Sequence, residues 1–76
     1  MKIHQPSHVQ PTYANFCAID WKRGEVVLNL CFAEGDEKSP RATVVHKVVF
    51  RPEDFARLLK IGQEALDLHA MKYGRG

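Results

Sequence analysis

Two cysteines, Cys17 and Cys31, and four histidines, His4, His8, His46 and His69, are the side chains of this chain best suited to nucleophilic, redox or metal chemistry. A thiol becomes a working nucleophile when a base within hydrogen-bond reach takes its proton. His46 could serve Cys17 in that way if the strand carrying it pairs so as to face Cys17, yet no third group is placed to orient the imidazole. A disulfide needs Cβ atoms about 3.5–4.5 Å apart. With a three-residue turn closing at Trp21 and Glu25, Cys17 falls opposite Asn29, and the two thiols are diagonal neighbours roughly 7 Å apart. A five-residue loop would oppose them instead. Free, hydrophobe-like thiols in a reducing compartment are the expectation. His4-x-x-x-His8 has a zinc-like spacing without a Cys-x-x-Cys to complete it, so no metal is expected. His69 falls on an apolar helical stripe and reads as a boundary side chain, and Gly24, Gly35, Gly62 and Gly74 are too scattered to form a phosphate loop. Tyr13 and Trp21 beside Lys22 and Arg23 could stack bases on a sheet face. Asp20, Glu25 and the acids of residues 34–37 oppose that charge, which leaves single-stranded nucleic acid as a weak alternative. No catalytic residue and no cofactor are expected.

The elements that carry these side chains follow from the pattern. Residues 1–11 hold Pro6 and Pro11 among polar residues without apolar period, the composition of a flexible arm. From residue 12 to 74 the chain reads as a single β-β-β-α domain: strands at about 12–21, 25–33 and 42–50, and a helix at about 53–73. Lys22-Arg23-Gly24 supplies a hairpin turn, with Gly24 suited to positive φ. Residues 34–41 are polar and breaker-rich, a surface loop. Thr43 to Phe50 is β-branched. Pro52 suits the first helical position, Glu53 and Asp54 place negative charge at the positive end of the dipole, and Gly74 is a stop. Arg51 is a poor N-cap. The fold class is α+β, an antiparallel three-stranded sheet with one long C-terminal helix across one face.

In the register of the three-residue turn, Ala14, Phe16 and Ala18 oppose Phe32, Leu30 and Leu28, which alternates small with large as a core does. The opposite face then holds Tyr13, Ile19, Trp21 and Val27, where a sheet open to water would be polar. Val45 and Val49 repeat the surplus on the third strand. The helix has a first stripe in Phe55, Leu58, Leu59, Gly62, Leu66, His69 and Tyr73, and a second seam in Leu58, Ile61, Ala65 and Leu68. Tyr13, Ile19, Trp21, Val27, Val45, Val49, Leu58, Ile61, Ala65 and Leu68 are therefore the candidate interface. A 76-residue chain with 45% hydrophobic and 26% charged residues is an ordinary globular domain, too small to be comfortable alone. Its net charge of +2 draws neither nucleic acid nor anionic lipid. The apolar runs fall far short of a membrane span, and residues 1–6 lack a signal-peptide core, so the expected compartment is the cytoplasm.

Tyr13-Ala14-Asn15-Phe16, Val26 to Leu30, Val44 to Phe50, Pro52-Glu53, Arg57-Leu58-Leu59 and Gly74 follow one another as in a family of short bacterial domains. The chain resembles the domain-of-unknown-function 3467 family over about residues 12–74. It departs from that pattern at Arg51, where a small polar cap is common, and at Asn29, where an acid is common. The resemblance implies a small non-enzymatic oligomer and transfers no catalytic residue. In architecture alone, a twisted antiparallel sheet followed by a long helix is similar to the SecB-like export chaperones. Those are longer and have a fourth strand, which residues 1–11 could supply only by pairing with the sheet. The expected function is a homo-oligomeric protein-binding or scaffolding module, whose partners are itself, as a dimer or higher, and another protein. The alternative is a SecB-like binder of unfolded clients.

Overall fold

The computed structural model describes residues 1–74, and its elements run β1 (Phe16–Lys22), β2 (Glu25–Glu34), β3 (Arg41–Phe50) and α1 (Pro52–Tyr73). The sheet is antiparallel in the order β1-β2-β3, so β2 is central and both outer strands have a free edge. The α+β reading holds. Residues 1–15 lie outside the sheet, with one turn closed by Val9 N–H donating to the Pro6 carbonyl at 3.1 Å. They supply no fourth strand.

The hairpin register differs from the expected one. Lys22 pairs with Glu25, so Arg23-Gly24 is a two-residue loop, and every β1 partner moves by one position: Phe16 opposes Cys31, Cys17 opposes Leu30 and Trp21 opposes Val26. Gly24 does not take a positive φ; the left-handed glycines are Gly35 and Gly74. At Gly35, φ is 95°, and a Cβ there would run into the Ser39 carbonyl, so the β2–β3 turn requires glycine. Asp36 Oδ1 accepts from the N–H groups of Lys38 and Ser39 at 3.0 and 2.8 Å, an Asx turn that organises the polar loop.

β1 begins at Phe16 rather than near residue 12 because a side chain takes over the pairing. Asn15 N–H donates to the Cys31 carbonyl at 3.1 Å, while the Asn15 amide donates to the Ala33 carbonyl at 3.1 Å and accepts from Ala33 N–H at 2.7 Å. The carboxamide stands in for one more peptide of the ladder. Tyr13 then packs edge-on against Phe32, with centroids 5.8 Å apart.

The helix does not lie across the sheet, as expected from sequence. A single extended residue, Arg51 at φ −71° and ψ 150°, joins β3 to Pro52. Strand–helix reversals use about 2–6 connecting residues. With one, α1 leaves the end of the sheet, meeting β2 and β3 near its start, where Phe55 stands 5.8 Å from the Phe50 ring. No helix residue is buried. Gly74 closes the helix by donating its N–H to the Ala70 carbonyl at 2.8 Å.

The radius of gyration is 15.3 Å, against about 11 Å for a compact chain of this length. Among the described residues, no large side chain is fully buried, and the interior reduces to Cys31, 3% exposed, and Asn29, 5% exposed. Folding a chain costs about 1–2 kcal/mol per residue in backbone entropy, and hydrophobic burial is its main counterweight. In the single chain that counterweight is reduced: among the described residues, Cys31 is the one buried apolar side chain.

Candidate functional site

Directly opposed residues of an antiparallel pair point to the same face, and neighbours along a strand alternate. The observed register therefore sorts the sheet. One face carries Cys17, Ile19 and Trp21 from β1, Val26, Leu28, Leu30 and Phe32 from β2, and His46, Val48 and Phe50 from β3. Its charged residues are Glu34 and Arg41 at the far end, paired with each other at 3.2 Å. The other face carries Asp20, Lys22, Glu25 and Lys47 among Phe16, Val27, Asn29, Cys31, Val44 and Val49. Both faces are not equally apolar, as the shifted register would have made them.

The mixed face satisfies its own polar groups. Asn29 donates to the Ala18 carbonyl and to Asp20 Oδ2, each at 3.2 Å, and Lys22 meets Glu25 at 3.0 Å. A buried amide is tolerated when so paired. The apolar face has no such network, and Trp21 stands 79% exposed on it. A bulge between Leu30/Cys31 and the facing strand sets Val44 opposite Cys31 and inserts Val45 beside it, which bends β3 at mid-length.

The candidate interface residues are spread over the two sheet faces, the rim and the helix. Ile19 and Trp21 lie on the apolar face, while Val27 and Val49 oppose one another on the mixed face and strand alternation puts Val45 with them. Tyr13 flanks Phe32 at the rim. Leu58, Ile61, Ala65 and Leu68 are all exposed on the helix, joined by Leu59, Leu66 and Met71. At about 100° per residue, the arc of α1 from Leu68 round to Ala70 is roughly 200° wide, about twice what one sheet contact needs, and is apolar apart from His69 and, near the two ends of the helix, Asp54 and Lys72. Sequence reasoning placed Leu28 and Phe32 on the face under the helix and left the register of Val48 open; that face is uncovered because α1 leaves the end of the sheet rather than lying across it.

The chemical candidates are held apart. Cys17 and His46 do share a face, but each opposes Leu30 from a different side, two strand spacings or about 10 Å apart. That is beyond hydrogen-bond reach. Cys17 and Cys31 point to opposite faces, and both thiols are free, Cys17 exposed and Cys31 buried. Among the described residues, no three His, Cys, Asp or Glu side chains gather as a metal site would require. His69 is exposed and stacks on Tyr73 at 4.9 Å. An open cleft of about 320 Å³ lies between Phe16, Ala33, Glu34, Pro40, Arg41 and Ala42, with no nucleophile in its lining.

Charge is most concentrated at the strand–helix joint. Arg51 Nε donates to Asp54 Oδ2 at 2.7 Å and Arg57 donates to Asp54 Oδ1 at 3.0 Å, with Glu53 3.5 Å from Arg51. The hydrogen bond from Arg51 holds the Asp54 carboxyl below the ordinary carboxylate range, with the charge of Arg51 and then Arg57 adding to it. Arg51 makes no side-chain cap, as its residue type suggested. Its guanidinium instead bridges Glu53 and Asp54 within the first turn of α1.

An open three-stranded sheet with one apolar face, followed by a C-terminal helix that leaves the end of the sheet, defines a small α+β domain. The chain belongs to DUF3467, a family described as protein of unknown function, whose model matches residues 2–75. No curated protein and no solved structure matches it. The similarity to SecB-like chaperones accordingly rests on element order alone, and the fourth strand of those proteins has no counterpart here. Among the described residues no helix is long and apolar enough to cross a membrane.

Proposed function

We propose that this protein is a homo-oligomeric protein-binding or scaffolding module, non-enzymatic and cytoplasmic, whose subunits complete one another's core. The observation that supports this reading is area. The chain exposes 7201 Å², whereas a compact monomer of its mass exposes about 4,700 Å². Assigning residues 1–15 the full area of unfolded chain, ~2,400 Å², still leaves the rest roughly 800 Å² above its compact value. About 800 Å² is one partner's share of a standard stable interface.

With the apolar face and helix occupied by a second copy, what remains outside for another protein is the mixed face, the Asx-turn loop and residues 1–15. Light scattering across a hundredfold dilution tests the reading. A persistent dimer or tetramer, dissociated by Trp21→Asp or Ile61→Asp, is expected. A folded monomer unaffected by both substitutions would overturn it. In that case the open face becomes the binding site of the alternative, a chaperone-like protein, and suppression of aggregation of an unrelated unfolded protein is its readout. The nucleic-acid reading has little support: Trp21 and Lys22 point to opposite faces, and Lys22 is engaged by Glu25 at 3.0 Å.

A further inference from the structure

We infer that two copies exchange helices, α1 of each lying along the apolar sheet face of the other. This rests on the homo-oligomeric reading and specifies which surface covers which. Three observations lead to it. First, the one-residue joint at Arg51 leaves no connecting segment to bring α1 back over its own sheet, and no residue of α1 is buried. Second, the dimensions agree: α1 has 22 residues and spans about 33 Å, and β2 and β3 have 10 residues each and span about 34 Å. Two strand spacings make the sheet about 10 Å wide, the diameter of a single helix.

The third observation is polarity. The face offered by the sheet is apolar from Trp21 and Val26 to Phe32, and the seam of Leu58, Ile61, Ala65 and Leu68 is apolar between Asp54 and Lys72, which bracket it on the same side of the helix. Gly62 stands beside that seam with open space where a Cβ would be, so nothing in its own chain accounts for a glycine at mid-helix. A sheet approaching from another subunit does. A reciprocal exchange is two-fold, closes on itself and covers the apolar sheet face of each copy with the helix seam of the other.

Cys17 provides the probe, since it is a native, exposed thiol on the apolar face. Cysteine is placed singly at Leu58, Ile61, Ala65 and Leu68, each variant is checked for helical content and for mass by light scattering, and a mild oxidant is added. The expected result is a cross-linked dimer in at least one variant, with Cys17 joined to the helix cysteine by peptide mapping, and its loss on Cys17→Ser. Three results would overturn the exchange while leaving the oligomer intact: cross-links that survive Cys17→Ser, which put helix on helix; Cys17 joined to Cys17, which puts sheet on sheet; or no cross-link at any of the four positions in a protein that scatters as a dimer. A monomer at every dilution would overturn both the exchange and the oligomeric reading beneath it.

Discussion

At Asn15 one side chain does the work of a peptide group, donating to and accepting from Ala33 at 3.1 and 2.7 Å. Asn15→Ala removes both bonds at the entrance to β1. Because the site is exposed and water replaces the lost partners, a destabilisation of about 1 kcal/mol is expected, read by denaturant unfolding together with faster amide exchange at Ala33. Leu or Val in place of Asn15 should behave as Ala does, since the cause is the amide and not the volume. Asp54 gives a pH dependence. Its carboxyl is held below the ordinary carboxylate range by Arg51, so its contribution is complete above the unfolded value and is lost as pH falls through the folded one. Helical content should decline only in strongly acidic solution, and Asp54→Asn should remove that component of the acid transition. The Tyr-Ala-Asn-Phe motif was recognisable in sequence as a motif, but the role of its asparagine was not, because an amide that mimics backbone leaves no periodic trace.

At the scale of elements, three strands and a helix were legible in order and in approximate extent. β-branched runs mark β2 and β3, and Pro52-Glu53 marks the helix start within one residue of where α1 begins. What was not legible was turn length. Taking Lys22-Arg23-Gly24 as a three-residue loop instead of the two residues Arg23-Gly24 shifts β1 by one position, and a one-residue slip exchanges the faces of a strand. Ile19, Trp21 and Val27 were then assigned to one face, whereas Val27 lies on the other. The path of the helix was equally hidden, because it depends on whether the joint holds one residue or three. Gly62 carries a prediction at this scale. In an isolated helix, Gly62→Ala stabilises by about 0.5–1 kcal/mol. If a second subunit lies against that position, the added methyl instead weakens assembly, so the substitution should raise the dissociation constant while increasing helicity of any dissociated chain. Titration by light scattering and circular dichroism separates the two effects.

For the molecule as a whole, the governing fact is that among the described residues the interior consists of Cys31 and Asn29. On the proposed homo-oligomeric reading, stability is supplied across an interface and depends on protein concentration. Thermal unfolding midpoints are expected to rise with concentration, and Trp21→Asp and Ile61→Asp are each expected to abolish that dependence by preventing association. A midpoint independent of concentration over a hundredfold range would contradict this. Sequence composition pointed toward the same outcome through chain length and through apolar residues in excess of what one helix and one sheet face can bury.

The empty interior also bears on how a cell could control this protein. If, as proposed, the chain is ordered only with its twin, assembly follows the square of concentration, and synthesis below a threshold would yield copies that proteases remove before they pair. Above the threshold, each new copy is protected by those already present. Dosage, rather than any ligand or modification, would then decide whether the assembled form exists at all.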